Sequence, residues 1–383
     1  MGEAERIVRI EGFALACDMP QEAGNALRTF RERQSLLIRI TTAGGLVGWG
    51  ETWAFPAAAA AFIRSVLAPV VLGADATRPR KVQADMLRRV VPDRRGQAHM
   101  ALSAIDIALW DAFGRAAGMP VSALLGGALR DRLLAYASGP LMPAGADRFA
   151  GLEGAVEGFA ADGFRAVKLR VGAGLAADER AIRTARRILG PDADLMIDLN
   201  EGSTVHDALA LAAQVADVGL RWIEEPIPHD DLPAYRDIAA RLPVPLAGGE
   251  SFCGAGAFRE AAATRALSIL QPDIALTGGI TEVMRVAGLG DAFGVPVIPH
   301  VWGAGVNFLA GLQVAAVVAT PPGARPLPLF EYDTSHNPLR AAVIDPKPDA
   351  DGTIPVPDGP GLGLAIEPDR LAPYVRDHWT VEE

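Results

Sequence analysis

Short apolar runs alternate with amphipathic helical patterns through the C-terminal two thirds of the chain. Each run has the length of a buried strand. The runs that predict strands are Leu134–Ser138, Ala166–Val171, Leu195–Asp198, Leu220–Glu224, Pro245–Gly248, Ile269–Pro272, Val295–Pro299 and Leu327–Glu331. Eight strands with helices between them predict an α/β fold with a closed parallel barrel rather than an open sheet.

The first part of the chain has a different pattern. Runs rich in β-branched and apolar residues at Ile7–Ile10, Ser35–Ile40 and Val47–Glu51 predict strands, and the polar segment 17–30 between the first two predicts a loop. The pattern then becomes helical, with a long apolar helix predicted at Ala101–Ala117. A sheet followed by helices is an α+β arrangement.

These changes of pattern predict three parts. Residues 1–130 form the α+β unit, residues 131–345 form the barrel with the functional site, and residues 346–383 form a C-terminal segment that begins with many proline and turn residues.

Composition and charge narrow the classes of function. The formal net charge of −10 argues against a nucleic-acid partner, which requires a basic face. The only two cysteines, Cys17 and Cys253, supply neither a disulfide framework nor a zinc cluster. The N-terminus carries early charges and no apolar run, and no stretch is long enough to span a bilayer. A cytoplasmic protein without a membrane partner is therefore expected.

Polar residues stand at the C-terminal ends of the predicted strands. In a parallel barrel these ends converge on one mouth, where active sites lie. Five successive gaps between the residues from Asp198 onward are 26, 26, 23, 27 and 31 residues, about one β/α unit each. The strand-end residues are Lys168, Arg170, Asp198, Glu224, Glu250, Asp273, His300 and Glu331.

Three of these residues form a candidate metal site. Asp198, Glu224 and Glu250 end consecutive predicted strands, and three anions at one place repel each other unless a cation neutralises them. An all-oxygen, all-anionic set without a thiolate favours Mg²⁺, with water and substrate in the remaining positions. The sequence therefore predicts one Mg²⁺ per subunit.

The next two strand ends form a candidate acid/base pair. His300 can act as a general base at neutral pH, and Asp273 on its second ring nitrogen would fix the tautomer and stabilise the imidazolium.

Together these motifs resemble the enolase superfamily, in particular the mandelate racemase/muconate lactonizing enzyme family. The resemblance covers nearly the whole chain, because segments of the first 130 residues resemble that family's N-terminal capping domain. Its motifs are Lys168-Leu169-Arg170, Asp198 with Asn200, Glu224-Glu225-Pro226, Gly249-Glu250, Gln271-Pro272-Asp273, Gly278-Gly279-Ile280-Thr281, Pro299-His300, Gly48-Trp49-Gly50-Glu51 and Ser103–Asp111.

The resemblance implies a fold and a chemistry. The fold would be a (β/α)7β TIM-like barrel with an α+β N-terminal capping domain that the C-terminal tail completes. Mg²⁺ would bind the substrate carboxylate and stabilise the enediolate formed when the α-proton leaves. Glu331 would donate a hydrogen bond to that intermediate if it is protonated, whereas Asn200, Glu225 and Trp53 would support the ligands or contact the substrate. A homo-oligomer, dimer or octamer, is also implied.

One departure from the family pattern bears on the reaction. Many relatives carry a second lysine, a base on the face opposite the histidine, where this chain has Arg170. Arginine stays protonated and is a poor base, although its planar fork suits carboxylates and hydroxyls. With His300 as the principal base, dehydration of a sugar acid (aldonate or aldarate) to a 2-keto-3-deoxy acid is favoured over racemisation or epimerisation. Lys168 would either contact the substrate carboxylate or act as the partner acid.

Three alternatives stay open. The same chemistry could expel a lactone or ring oxygen, which would make the protein a sugar-acid lactone cycloisomerase, with specificity set by segment 17–30 and the loop at Trp53. Gly172-Ala173-Gly174 with Ala177 superficially fits the dinucleotide fingerprint of an NAD-dependent dehydrogenase, although it lies on the second strand rather than the first. A non-catalytic metal-binding barrel would explain the carboxylates but not Asp273 with His300.

Overall fold

The computed structural model describes residues 2–91, 95–321 and 329–383. The strands are β1 (Ile7–Gly24), β2 (Thr29–Thr42), β3 (Val47–Thr52), β4 (Arg132–Ser138), β5 (Met142–Pro143), β6 (Ala166–Arg170), β7 (Asp194–Asp198), β8 (Ile223–Glu224), β9 (Leu246–Gly248), β10 (Ile269–Leu270), β11 (Leu329–Asp333), β12 (Thr353–Pro355) and β13 (Val375–Glu382).

The α-helices lie between the strands. They are α1 (Pro56–Phe62), α2 (Ala68–Val71), α3 (Pro79–Arg89), α4 (Gln97–Ala117), α5 (Val121–Leu124), α6 (Leu152–Ala161), α7 (Leu175–Leu189), α8 (Val205–Gln214), α9 (Leu232–Ala239), α10 (Gly254–Ala263), α11 (Ile274–Thr277), α12 (Gly279–Phe293), α13 (Gly305–Val317), α14 (Pro338–Ala341) and α15 (Pro368–Leu371). A π-helical turn, Ile63–Leu67, joins α1 to α2.

The strands form two sheets. The antiparallel sheet has the order β13-β1-β2-β3, with β5 paired to β1, so the C-terminal strand completes the sheet of the N-terminal unit. The second sheet has the parallel order β10-β9-β8-β7-β6-β4-β11, with β12 antiparallel on β4. The predicted fold class, a TIM-like barrel with an α+β capping domain completed by the tail, is confirmed. The boundaries at residues 130 and 345 stay a prediction.

The predicted loop at residues 17–30 is wrong. β1 runs to Gly24 and β2 begins at Thr29, with Cys17 paired to Arg33 and, after an irregularity, Ala23 paired to Phe30. Backbone pairing in the hairpin outweighs the polar composition that suggested a loop, because strand preference depends mainly on sheet context. Only a tight turn remains, in which the Asn25 side chain accepts hydrogen bonds from two backbone N–H groups.

Two glycines let α4 pack directly on β3. A side chain at Gly48 would collide with the Ala108 carbonyl oxygen, and one at Gly50 with the Ala104 carbonyl oxygen. This close approach explains the Gly-x-Gly spacing before Glu51. It also fixes β3 so that the residues after it reach the barrel mouth.

The barrel is built as predicted except at one strand. Seven of the eight predicted runs contain a strand that is hydrogen-bonded to neighbouring strands. In the last run, residues 327 and 328 lie outside the described part of the chain. The run Val295–Pro299 forms only isolated parallel bridges, Leu270 with Val297 and Asp273 with His300. Pro296 and Pro299 have no N–H group to donate, which prevents a regular ladder there.

The inside of the barrel is filled by side chains. Six of the seven residues in this inner cluster are less than 2% exposed. The barrel is therefore a packed core with a site at one end rather than a pore. The cluster consists of Tyr136, Ala166, Met196, Trp222, Ala247, Ile269 and Ile298.

The glycine-rich segment that resembled a dinucleotide fingerprint has a structural role. The N–H groups of Gly172, Ala173 and Gly174 all donate to the carboxylate of Asp178, at 2.9, 2.9 and 3.2 Å. A carboxylate of the chain itself thus occupies the place where a phosphate would bind. In the described ranges, no helix is both long and apolar enough to cross a membrane.

A buried carboxylate joins α4 to the barrel. Asp106 accepts hydrogen bonds from the Thr281 N–H at 2.9 Å and the Thr281 hydroxyl at 2.7 Å, and the Trp110 indole donates to the same hydroxyl. Burial outweighs these donors and raises the pKa of Asp106 to about 7.

This raised pKa predicts a pH-dependent stability difference. A carboxyl that holds its proton in the fold but loses it on unfolding stabilises the fold at low pH, and that contribution is lost as pH rises from about 4 to about 7. Because Asp106→Asn is neutral at every pH, its stability relative to the wild type should rise over this window. Denaturant unfolding at pH 4.5 and pH 8 measures the difference. The exposed Asp369→Asn should follow the wild type, and a constant difference for Asp106→Asn would contradict the assignment.

Candidate active site

The strand ends bring the predicted polar residues to one mouth of the barrel. Arg170 and Asp198 are register partners on β6 and β7, and Asp198 and Glu224 are partners on β7 and β8. Lys168, Asp198, Glu224 and Glu331 are each at most 1% exposed. The structure thus places side chains from distant parts of the chain beside each other, as the barrel prediction required.

Lys168 lies among three of the carboxylates. Its ammonium is 2.9 Å from Glu331 Oε1 and 3.5 Å from Asp198 Oδ2, and it also contacts Glu224 Oε1. Burial lowers the pKa of Lys168, but the surrounding carboxylates outweigh burial and raise it well above the usual lysine value. Lys168 is therefore a fixed positive charge in this arrangement.

His300 and Asp273 form the predicted pair. The His300 Nδ1 and Asp273 Oδ2 atoms are 2.6 Å apart, and His300 Nε2 is 3.0 Å from Glu250 Oε2. Burial opposes protonation of His300, but Glu250, Glu331 and Asp273 together raise its pKa well above the usual value. One ring nitrogen is thus fixed by Asp273, and the other faces a predicted metal ligand.

Trp53 connects the capping domain to this pair. Its indole N–H donates to Asp273 Oδ2 at 2.9 Å, so this oxygen is shared between Trp53 and His300. The other carboxylate oxygen accepts from the Ala275 N–H at 2.7 Å and the Asn307 amide at 3.3 Å. A carboxylate held by four donors stays in one orientation and keeps the imidazole in one tautomer.

Sequence reasoning gave no role to Glu51, which also joins the two domains. This fully buried carboxylate on β3 accepts from the backbone N–H of Ala304, the N–H of Asn307 at 2.7 Å and the Ser35 hydroxyl at 2.7 Å. Burial outweighs these donors and raises its pKa to about 7. Glu51 thereby holds the loop that follows His300. In the sequence it was noted only as part of the motif Gly48-Trp49-Gly50-Glu51, without a role of its own.

The residues beside the predicted ligands hold them in place. The Asn200 amide and backbone N–H donate to the two oxygens of Asp198 at 3.0 and 2.8 Å. Glu224 Oε2 accepts from Trp222 at 2.9 Å and Gln271 at 2.7 Å. Asn200 and Glu225 have positive φ angles of 42° and 38°, a strained backbone that occurs mainly at functional sites.

The carboxylates outnumber the cations around them. Burial raises the pKa of Asp198, Glu224 and Glu250, and that of Glu225 is raised well above its usual range. Glu331 differs: burial is outweighed by Lys168 and His300, which lower its pKa to about 2. This lowered pKa favours the ionised form of Glu331 in this arrangement, and its role as a protonated donor to the intermediate stays a prediction.

The donor chemistry at this mouth fits a hard divalent cation. The carboxylates of Asp198 and Glu224 are buried and that of Glu250 is partly buried; all three have raised pKa values and lie at or just after the ends of consecutive strands, and a metal ion relieves their repulsion. Within the described ranges, no three His, Cys, Asp or Glu side chains are already arranged as a metal-binding cluster, because Lys168 and His300 are interposed. The assignment of a divalent cation to this site therefore rests on the type of the ligands and their burial, and not on ligands already arranged around one point.

A cavity of about 450 Å³ opens over these residues. Both domains contribute to its wall: the hairpin tip between β1 and β2 and the loop after β3 supply one part, and the barrel ends supply the other. Its lining residues include Asn25, Arg28, Phe30, Arg33, Trp53, Phe55, Arg170, Asp198, Asn200, Glu250, His300 and Trp302. Arg33 and Trp302 were not singled out from the sequence.

A parallel barrel whose mouth is covered by an α+β domain, with acids on successive strand ends, defines the enolase class of protein. Family comparison agrees over most of the chain. The model for the mandelate racemase/muconate lactonizing enzyme N-terminal domain matches residues 14–126, and the enolase C-terminal domain-like model matches residues 152–370. The chain belongs to the enolase superfamily, in the mandelate racemase/muconate lactonizing enzyme family.

Several relatives of similar sequence are named for reactions of sugar acids or their lactones. It is 38% identical to D-galactarolactone cycloisomerase of Agrobacterium fabrum, over 93% of this chain and 95% of that protein. It is 31% identical to arabinonate dehydratase of Saccharolobus solfataricus, over 85% and 87%. A racemase from Streptomyces coelicolor with bound magnesium superimposes with a TM-score of 0.86 at 29% identity, covering 96% of this chain and 99% of that one.

Proposed function

We propose that this protein removes the α-proton of a sugar acid and then expels the β-substituent, with Mg²⁺ held by Asp198, Glu224 and Glu250. Dehydration of the free acid to a 2-keto-3-deoxy acid is the leading reaction. The single observation that carries the proposal is the His300–Asp273 pair, which directs its second nitrogen at the predicted metal ligands, 3.0 Å from Glu250.

His300 is the base in this proposal. Asp273 fixes its tautomer, so that Nε2 faces the substrate. The raised pKa of His300 comes partly from Glu250, and neutralising that carboxylate lowers the pKa of His300 towards the range where it can accept a proton. After accepting the α-proton, the imidazolium returns a proton to the departing β-hydroxyl on the same face.

The opposite face offers no second base. The guanidinium of Arg170 is a poor base, and the ammonium of Lys168 contacts Glu224 and Glu331, of which Glu331 is not a proposed metal ligand and keeps its negative charge beside Lys168 when Mg²⁺ is bound. Racemisation requires competent acid/base groups on both faces, so an elimination from one face fits the site better. Lys168 would stabilise negative charge on the substrate carboxylate, and Glu331 would keep Lys168 in place.

Mg²⁺ would supply the electrostatic stabilisation that a side-chain base lacks. A general base contributes only about 10²–10⁴-fold, which is too little for an α-proton of a carboxylate. The bound ion would stabilise the charge that develops on the substrate carboxylate. Asn200, Trp222 and Gln271 orient the ligands for it through the hydrogen bonds described above.

Lactone cycloisomerisation is the second candidate, and the 38% identical cycloisomerase favours it. The first step is the same, but the leaving oxygen belongs to a lactone and departs as a carboxylate. Such a group needs no proton to leave, so the imidazolium of His300 keeps its proton until the enol product becomes the 2-keto acid, when that proton can go to the β-carbon. The two reactions are separated by incubating free sugar acids and their lactones with Mg²⁺ and following 2-keto acid formation. Turnover of a free acid indicates dehydration, and turnover of a lactone alone indicates cycloisomerisation.

The same substrates test the whole proposal. We expect Mg²⁺-dependent turnover of at least one sugar acid or lactone. If no sugar acid exchanges its α-proton with D₂O in the presence of Mg²⁺, the proposed function is wrong. A homo-oligomer and a cytoplasmic location stay predictions.

His300→Ala should abolish α-proton exchange while Mg²⁺ binding survives. Loss of a general base should slow exchange by about 10²–10⁴-fold. NMR detection of deuterium incorporation, together with calorimetric Mg²⁺ titration of the same variant, measures both properties. Exchange at the wild-type rate would show that another group is the base.

Asp198→Asn should weaken Mg²⁺ binding by about 10²-fold or more, because it removes a charged ligand. Asp194→Asn is the matched control: it lies at the other end of the same strand, where Asp194 pairs with Arg221 at 2.6 Å. Calorimetry without substrate measures both variants. Equal Mg²⁺ affinities in the two variants would remove Asp198 from the ligand set.

Trp53→Phe should lower kcat by about 10-fold, because Asp273 loses one donor while the aromatic wall of the cavity is kept. The pH profile should shift as well, since the orientation of the Asp273–His300 pair changes. Steady-state kinetics across pH 6–9 tests this. A change confined to KM would instead indicate that Trp53 only contacts the substrate.

A further inference from the structure

Two buried arginines meet in the wall of the cavity. Arg33, on β2 of the capping domain, is 4% exposed, and Arg170, at the end of β6, is 6% exposed. The Cζ atom of Arg33 lies 4.1 Å from the centroid of the Trp302 ring, and that of Arg170 lies 5.5 Å from the same centroid. Guanidinium groups from two different sheets are thus gathered against one aromatic side chain.

Neither guanidinium has its hydrogen bonds satisfied by the protein. Arg33 donates through one terminal nitrogen to Asp333 at 2.6 Å and to Ser335, but its Nε and its other terminal nitrogen are buried without a partner. Across the described residues, the Arg170 side chain has no hydrogen bond or ion pair, and one of its nitrogens is buried. Buried cationic donors without partners are costly and rare, and a ligand that accepts from them would remove the cost.

The charge around this pair is also unbalanced. Apart from the predicted ligands Asp198 and Glu250, the described lining of the cavity contains Glu32 as its acid and four arginines: Arg28, Arg31, Arg33 and Arg170. Glu32 already accepts from the Gln34 amide at 2.5 Å. Arg31 is paired with Glu22 at 2.6 Å and Arg33 with Asp333. Arg28 and Arg170 therefore supply the local excess of positive charge, in a chain whose net charge is −10.

We propose that Arg33 and Arg170 bind a second carboxylate of the substrate, at the end remote from the α-carbon. The substrate is then the free form of a dicarboxylic sugar acid rather than a sugar mono-acid. Two planar guanidinium forks suit a carboxylate, whereas the neutral hydroxymethyl end of a mono-acid would leave both cations uncompensated. This inference rests on the proposed function, because the first carboxylate is placed by the metal site.

The Arg33–Asp333 ion pair suggests a simpler role, in which Arg33 only ties the hairpin to β11. That role does not account for Arg170, which has no such pair in the described chain, nor for the unpartnered nitrogens of Arg33. Arg39 is the control for this simpler role. It lies on the same strand as Arg33 and is likewise paired with an acid, Glu11 at 2.7 Å, but it is outside the cavity lining.

The test compares matched substrates in the wild-type protein with Mg²⁺. The pairs are gluconate with glucarate and galactonate with galactarate, each as the free acid, followed by α-proton exchange and by 2-keto acid formation. We expect kcat/KM to be higher for a di-acid by about 10²-fold. Preference for a mono-acid would overturn the inference but leave the proposed function standing.

Variants then assign the preference to the arginines. Arg170→Gln and Arg33→Gln should each lower kcat/KM for the di-acid by about 10²-fold and change that for the mono-acid by less than about 3-fold. Arg39→Gln should leave both values unchanged. An equal loss for both substrates in Arg170→Gln and Arg33→Gln would show a structural role and overturn the inference.

Two further outcomes have a defined meaning. If Arg33→Gln does not fold, Arg170→Gln alone decides, with circular dichroism as the check on its fold. If none of these acids is turned over, equilibrium binding with Mg²⁺ decides the inference separately, and the wider set of sugar acids and lactones decides the proposed function. Tighter binding of the di-acid that is lost in Arg170→Gln supports the subsite; equal binding of the two acids rejects it.

Discussion

The burial of several carboxylates at one barrel mouth is the constraint on which the site depends. Asp198, Glu224 and Glu331 are almost fully buried, and an isolated buried anion is unfavourable by several kcal/mol unless it is paired. Lys168 and His300 provide the compensation that the chain itself can supply. This compensation of charge is uneven. Lys168 and His300 lower the pKa of Glu331 to about 2, whereas burial raises the pKa values of Asp198 and Glu224. This residual imbalance favours a divalent cation at the predicted ligands rather than a purely structural ion-pair network.

The capping domain completes this site instead of merely covering it. Trp53 donates to Asp273, and Glu51 binds the backbone of the loop after His300, so both halves of the acid/base pair depend on β3 and the turn behind it. The close packing of α4 on Gly48 and Gly50 fixes that strand. A change in the packing of the capping domain would therefore reach the proposed catalytic pair, His300 and Asp273, through two hydrogen-bonding side chains.

Sequence reasoning located the barrel residues because strand period and β/α spacing are local properties. The ends of eight apolar runs identified Asp198, Glu224 and His300, and all lie at the mouth. It could not find Arg33, Glu51 or Trp302, whose importance arises from contacts between sheets that no local pattern encodes. It also misassigned segment 17–30, where cross-strand pairing outweighs polar composition, and Val295–Pro299, where two prolines interrupt a run that is otherwise apolar.

Arg33 and Arg170 indicate how one barrel site can select among related acids. In the proposed reaction, Asp198, Glu224 and His300 would meet the same reacting end in any sugar acid, so they would set the chemistry without distinguishing substrates by their far end. Discrimination between substrates must come from groups that contact that far end. Such groups distinguish a charged end from a neutral end much more strongly than they distinguish two stereoisomers that differ at one hydroxyl. Because Arg33 belongs to the capping sheet and Arg170 to the barrel, a carboxylate bound between them would also hold the two domains together around the reacting centre.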